Sequence, residues 1–140
     1  MKQEISLAQQ NYIEAIDELT RERGSARTTD LASKLNVSAP SVSEAVRRLV
    51  EQGIAIRKSW HEIVLSKRGQ TIAVDLEKRH RTLRRFMTEF LNMGAREADE
   101  IACSVEHCIS PGFADRLTLF ADFLNEKMPL PLKTAWQRLA

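Results

Sequence analysis

Thr28-Thr29-Asp30-Leu31-Ala32-Ser33-Lys34-Leu35-Asn36-Val37-Ser38-Ala39-Pro40-Ser41-Val42-Ser43-Glu44-Ala45-Val46-Arg47-Arg48-Leu49-Val50 holds two short apolar patterns of helical period. In the first, Thr28-Thr29-Asp30 precede Leu31, Ala32 and Leu35, the composition of a capped helix that ends near Asn36. In the second, Val37-Ser38-Ala39-Pro40-Ser41 turns tightly into Val42, Ala45, Val46, Leu49 and Val50, and Gly53 closes the helix. Two helices so joined are either a helix-turn-helix or an ordinary helical hairpin of a small α domain. In the first case the second helix is the recognition helix. Its early residues Ser38, Ser41, Ser43 and Glu44 are small or polar, types that approach phosphates and base edges closely in the major groove.

The residues that follow favour the first case. Ile54-Ala55-Ile56-Arg57-Lys58 and Glu62-Ile63-Val64-Leu65 alternate with period two around Ser59-Trp60-His61, which predicts a two-stranded hairpin. A helix-turn-helix followed by a basic hairpin is a winged helix, with Arg57 and Lys58 placed along the phosphate backbone. Upstream, Tyr12, Ile13, Ile16 and Leu19 mark a first helix from Ser6 to about Glu22, stopped by Gly24. The net charge is only +2, so composition alone announces no nucleic-acid binder. Between Arg27 and Arg68, however, eight Lys or Arg face four acids, an asymmetry expected of an electrostatic footprint. The candidate DNA contacts are Arg27, Ser38, Pro40, Ser41, Ser43, Glu44, Arg47, Arg48, Arg57 and Lys58.

From Ser66 a helical pattern runs for about 25 residues, with Ala73, Leu76, Leu83, Met87 and Phe90 as its apolar stripe and His80 on the buried side. Lys78, Arg79, Arg81, Arg84 and Arg85 read as its solvated face. After Gly94 a further helix is expected from Ala95 to about Cys108. It carries Cys103-Ser104-Val105-Glu106-His107, where residues three and four apart share a face. Cys103, Glu106 and His107 then bring a thiol, a carboxylate and an imidazole together, the three commonest protein ligand types for first-row transition metals. On a helical wheel Asp99 falls with them, while Ile101, Ala102, Val105, Cys108 and Ile109 take the opposite, packing face. Clustering the three polar groups without a shared partner is costly, which favours a metal site, and Cys108 is expected to be structural. A last helix starts at Ser110-Pro111, with Phe113, Leu117, Phe120, Ala121 and Leu124 on one face. With Ile101 and Val105 it forms a pair of helices apolar enough for a dimer interface or for packing within the chain. The tail from Met128-Pro129-Leu130-Pro131 to Trp136 carries no functional signal.

At 140 residues, 43% apolar and 29% charged, the chain has the composition of a soluble globular protein. No stretch approaches a membrane span, and Met1-Lys2-Gln3-Glu4 opens no signal peptide, so a cytoplasmic protein with no membrane partner is expected. The two cysteines, five residues apart on one helix, are rotated by about 140° and poorly placed for a disulfide.

These motifs in this order resemble the diphtheria-toxin-repressor/manganese-transport-regulator family of metal-dependent transcriptional repressors. The carriers are Asn11-Tyr12-Ile13-Glu14-Ala15-Ile16, Val37-Ser38-Ala39-Pro40-Ser41-Val42-Ser43, Ile63-Val64-Leu65-Ser66-Lys67-Arg68-Gly69, Lys78-Arg79-His80 and Ala102-Cys103-Ser104-Val105-Glu106-His107. The resemblance implies a mainly α homodimer, with a winged-helix DNA-binding domain over residues 1–70 and a helical metal-binding and dimerisation domain over 71–140. It implies repression of metal-uptake genes when Fe(II) or Mn(II) is bound, on duplex DNA with a palindromic operator, with no small-molecule substrate. Glu106 and His107 match ligands common to the family, and Cys103 matches the cysteine of the iron-responsive branch. His80 matches a ligand position of both branches, and Glu14 one of the manganese branch. Asn11 stands where that branch has aspartate and the iron branch methionine. Asp99 falls at an ancillary-site histidine of the iron branch and Arg84 at a glutamate. A thiolate favours Fe(II), Co(II), Ni(II) or Zn(II) over Mn(II); availability makes Fe(II) the first choice and Mn(II) the second. The alternatives are a metal-independent winged-helix regulator and a thiol redox sensor acting through Cys103. An enzyme is not expected, since the chain has no HExxH, nucleophile elbow or phosphate-binding glycine loop.

Overall fold

Ser6 starts the first helix, α1 (Leu7–Arg23), through a reciprocal cap: its hydroxyl accepts from Gln9 N and its own N–H donates to Gln9 Oε1. The computed structural model describes residues 5–59 and 61–139, so Met1-Lys2-Gln3-Glu4 and Trp60 of the expected hairpin tip lie outside them. The chain divides into two units, Met1–Val74 and Asp75–Ala140.

In the first unit, α1 is followed by α2 (Thr28–Leu35), α3 (Ala39–Glu51), β1 (Ala55–Arg57), β2 (Ile63–Leu65) and the start of α4 (Lys67–Phe90). The expected threonine cap of α2 is absent: Arg27 is the N-cap and contributes no side-chain bond. Ser38 caps α3 by accepting from Ser41 N, and Gly53 takes φ +68° just beyond its end, a conformation glycine adopts without strain. The strands pair antiparallel with Ile56 opposite Val64, and are shorter than the alternation suggested. Ala26 forms a bridge to the other side of Ile63, so β2 is an inner strand, buried at all three positions. Ile13, Ile16, Leu31, Val42, Val46, Leu49, Ile54 and Ile63 form the core with the rest of the α1 stripe. Burying each side chain contributes roughly 1.5–3 kcal/mol. This core fixes how α3 and the hairpin stand on α1.

The hairpin meets α4 through Ser66 and Gly69. The Ser66 hydroxyl donates to Gly53 O at 2.7 Å and accepts from Gly69 N at 3.1 Å. A Cβ on Gly69 would lie 2.2 Å from the backbone oxygen of Ile54, so only a residue without one fits.

In the second unit α4 continues, followed by α5 (Ala95–Val105), a 3-10 turn (Glu106–Cys108), α6 (Pro111–Lys127) and α7 (Leu130–Leu139). Leu83 and Met87 of α4 pack on Ala98 and Ala102 of α5, with Met93, Ile109 and Leu117 around them. The small alanines leave room for the larger Leu83 and Met87 side chains between the two helices. Arg85 pairs with Asp122 and Lys78 with Asp115, which ties α4 to α6. Two expectations are corrected. The helix after Gly94 stops at Val105 instead of running to Cys108. Cys108 is exposed, because the 3-10 turn rotates it away from the packing face. The tail is a helix, α7, with Trp136 Nε1 donating to Phe90 O.

Candidate metal centre and nucleic-acid surface

The first unit presents the N-terminal part of α3 outward. Ser38, Pro40, Ser41 and Ser43 are exposed, and the Ser38 and Ser41 hydroxyls lie 2.8 Å apart. The N-terminal turn of a helix carries unpaired N–H groups and a partial positive charge that suit phosphate oxygens. Further along, Arg47 makes two bonds to Glu44 and one to Glu51, and Arg48 Nε donates to Glu44 Oε1. The two guanidinium groups hold the Glu44 carboxyl down to about 2, and Glu44 in turn raises Arg47. Two positive and two negative charges therefore balance on this face; the sequence count of eight bases against four acids included all four groups but did not pair them. The signal was the i, i+3 and i, i+4 spacing of Glu44 to Arg47 and Arg48. Arg27, Arg57 and Lys58 are exposed, whereas Arg68 donates to Gln52 O at 2.7 Å.

The second unit builds its polar cluster around one buried carboxylate. Glu106 is 2% exposed; its burial follows from the end of α5, where it comes one turn after Ala102 and its N–H still donates to Ala102 O. Its Oε2 lies 2.7 Å from His80 Nδ1 and its Oε1 3.5 Å from His107 Nε2, so two imidazoles take opposite oxygens of the same group. His80 Nε2 lies 3.0 Å from Asp99 Oδ1, which also lies 3.3 Å from Arg84 Nε.

This arrangement differs from the wheel reading. Glu106 lies with Ala98 and Ala102 on the packed side, while Ile101, Val105 and Cys103 are exposed. The chemistry and the packing share a face because the cluster is built against α4, not out toward solvent. Among the described residues, the group of ligand atoms within 4.8 Å of one another that includes Glu106 and His107 does not include Cys103.

Arg79, expected on the solvated face of α4, is the least exposed of the basic residues there. It bonds Asp75 Oδ2 and Ile109 O, and its Nε is buried with no hydrogen-bond partner among the described residues. Its i+4 spacing from Asp75 was the available sequence signal. Burial pushes His107 below 6.5 and the positive charge of Arg79 adds to this, while Glu106 opposes it. The outcome is a neutral imidazole near neutral pH, the form that ligates metal.

These residues fit a divalent transition-metal cation. A carboxylate buried between two imidazoles is electron-rich, and donor atoms bound to a common ion at roughly 2.1 Å stand on the order of 3 Å apart, close to the 2.7 and 3.5 Å seen here. The donor set of nitrogen and oxygen suits Fe(II), Mn(II), Co(II), Ni(II) or Zn(II).

Of the five residues expected at a dimer interface, Ile101, Val105, Phe113 and Phe120 expose apolar surface, and Leu117 turns toward the core of its own unit. Among the described residues, no helix is long and apolar enough to cross a membrane.

The model of the iron dependent repressor N-terminal DNA binding domain matches residues 4–59. That of the iron dependent repressor metal binding and dimerisation domain matches residues 66–129. The transcriptional regulator MntR of Escherichia coli is 32% identical over 110 residues, which cover 79% of this chain and 70% of that protein. The diphtheria toxin repressor of Corynebacterium diphtheriae is 27% identical over 106 residues, 76% of this chain and 47% of the repressor. Among solved structures, the manganese regulator SloR superposes with a TM-score of 0.69 at 32% identity, and the metal-dependent transcriptional regulator MtsR with 0.74 at 28%. In both cases 82% of this chain is covered and 54% of the other, so it spans about half the length of those two proteins. A winged helix joined to a helical unit with a buried carboxylate between two histidines, and both domain models matching in order, lead to one conclusion: the chain belongs to the iron-dependent repressor family of metal-dependent, DNA-binding transcriptional regulators.

Proposed function

We propose that this protein represses metal-uptake genes when it has bound Fe(II) or, second, Mn(II). The observation that carries the reading is Glu106, a carboxylate 2% exposed, sandwiched between His80 and a neutral His107 in the domain whose family binds metal. A divalent cation offsets the burial of that charge more fully than contacts with two imidazoles do. Glu106, His107 and His80 are the ligands we assign. Cys103, Glu14 and Asn11 are added on the family resemblance, and the thiolate of Cys103 is the reason for preferring Fe(II). Co(II), Ni(II) and Zn(II) are expected to substitute in vitro.

The DNA contacts we assign are Ser38, Pro40, Ser41 and Ser43 at the start of α3, Glu44, Arg47 and Arg48 further along it, and Arg27, Arg57 and Lys58 on the phosphate backbone. The partner is a palindromic operator, bound by a homodimer that pairs through Ile101, Val105, Phe113 and Phe120, with Leu117 behind them. A two-fold dimer presents two recognition helices about 34 Å apart to successive major-groove faces. A metal that tightens DNA binding is tightened by DNA in the same measure. The setting is the cytoplasm, where duplex DNA and a reduced Cys103 coexist. The test is operator binding titrated anaerobically with Fe(II), Mn(II) and Zn(II), for wild type and Cys103→Ala. The expected result is metal-dependent binding weakened by the substitution, and equal DNA affinity with metal and with chelator rejects the reading.

A further inference from the structure

His80 is held at both ring nitrogens. Nδ1 lies 2.7 Å from Glu106 Oε2 and Nε2 3.0 Å from Asp99 Oδ1. Ionised carboxylates accept hydrogen bonds and do not donate them. A neutral imidazole carries one N–H, so it can donate to one of these carboxylates while turning a lone pair toward the other. The two sides differ. Asp99 is exposed, and its Oδ1 is shared with the Arg84 guanidinium at 3.3 Å. Glu106 is buried, and its second oxygen faces another imidazole. A lone pair is put to use only where a cation can sit, which is the Glu106 side.

We propose that Asp99 and Arg84 are positioning residues for His80: Asp99 accepts Nε2–H, Arg84 steadies Asp99, and Nδ1 is presented as the ligating nitrogen beside Glu106. The proposal rests on the metal reading above and changes the ligand set expected from the sequence, because Asp99 becomes the orienting partner of a ligand and not a ligand itself. Arg84 lies four residues after His80 on α4, so the two side chains share a face, and its charge is permanent. It stands at the carboxylate where a second ion would have to bind, and a fixed cation there competes with any such ion. Carboxylates that hold the remote nitrogen of a ligating histidine set its tautomer and ring orientation, and their loss typically weakens metal binding 10–100-fold. The Asp99 and Arg84 side chains are 58% and 45% exposed, so replacing them leaves the core intact.

The experiment titrates the metal-stripped full chain with Co(II) under anaerobic conditions, following the visible absorption of the ion and, separately, equilibrium dialysis. The proteins are wild type, Asp99→Ala, Asp99→Asn, Arg84→Gln and Arg84→Lys. The proton position on His80 is read in parallel by nitrogen-15 NMR of the Zn(II)-loaded proteins. Asp99→Ala is expected to lose about 10–100-fold in Co(II) affinity, with the number of ions bound at saturation unchanged. Asp99→Asn, whose amide oxygen still accepts, recovers part of the loss; Arg84→Gln loses less than Asp99→Ala, and Arg84→Lys stays near wild type. His80 of the wild type is protonated at Nε2, and this preference is lost in Asp99→Ala. Equal affinity for Asp99→Ala and wild type overturns the proposal. So does saturation of Asp99→Ala with fewer ions, which makes Asp99 a ligand, or a wild-type His80 protonated at Nδ1. Wild type that binds no Co(II) overturns the metal reading and the proposal with it, whereas wild type that binds while Asp99→Ala binds equally well overturns the proposal alone.

Discussion

Replacing Glu106 by glutamine keeps the shape of a side chain that is 2% exposed and removes its charge. In the ion-free protein, burying the carboxylate costs several kcal/mol before its partners are counted. With no ion present, a proton on His80 Nδ1 makes the 2.7 Å contact a charge-assisted hydrogen bond that offsets roughly 1.5–3 kcal/mol of that, the proton shifting to Nε2 only when an ion takes the Nδ1 lone pair; the contact with His107 at 3.5 Å is too long to offset as much. The terms nearly balance, so in chelator Glu106→Gln should unfold within about 1 kcal/mol of wild type, on either side. With a divalent cation the balance is broken, because an amide is a far weaker ligand than a carboxylate. At an ion concentration about 100 times the wild-type Kd, the ion stabilises wild type by about 2.7 kcal/mol. If the variant binds about 100-fold more weakly, the same concentration stabilises it by about 0.4 kcal/mol. Each kcal/mol moves Tm by roughly 2–8 °C in chains of this size range, so the difference is visible in thermal melts recorded in chelator and in Mn(II) or Co(II). A variant that keeps the full metal-induced rise in Tm refutes the reasoning, as does one that loses several kcal/mol in chelator alone.

Gly69→Ala places a methyl group 2.2 Å from the Ile54 carbonyl oxygen, where only backbone can yield; the cost should reach at least the upper part of the 1–3 kcal/mol typical of overpacking, read as a lower denaturation midpoint, and an unchanged midpoint contradicts it. Glu44→Gln releases Arg47 and Arg48 from the carboxylate that holds them, so non-specific DNA affinity should rise and the salt dependence of log K should steepen by about 0.9 for each guanidinium that reaches a phosphate; an unchanged slope in a salt titration counts against this. His107 is pushed below 6.5 by burial, so as pH falls below about 6.5 the unfolded chain takes up the proton first, and the stability of the ion-free protein declines until pH passes below the folded value. That contribution is fully present above about 6.5. His107→Gln should flatten the dependence in urea melts across this range, and a wild-type slope no steeper than the variant's would dismiss it.

The winged helix was readable because each of its signals is local. The α1 stripe of Tyr12, Ile13, Ile16 and Leu19, the Ser38-x-Pro40 start of α3, and the alternating residues around Ile56 and Ile63 depend on near neighbours in the chain, and the same residues are buried or paired in the fold. Boundaries were less readable. The helix carrying Cys103 breaks into a 3-10 turn at Glu106, and nothing in its composition marks that point, which lies in the middle of an otherwise helical pattern. The helix α7 starts at Leu130, between Pro129 and Pro131, where proline usually ends a helix but is tolerated in its first turn.

The sequence by itself determined the elements of the DNA-binding half and the kinds of atom available for a metal, because helical period, capping residues and turn residues act over a few positions. Which of those atoms meet was decided by tertiary structure. Close packing of Ala98 and Ala102 against Leu83 and Met87 sets the end of α5 against α4, and the 3-10 turn then aims Glu106 at His80 and His107 and leaves Cys103 on the outside. The same packing gave His80 and Arg84 a common partner in Asp99 and drew Arg79 off the surface. A helical wheel assigns directions on one cylinder; the contacts between two cylinders depend on how closely they approach and where each one ends.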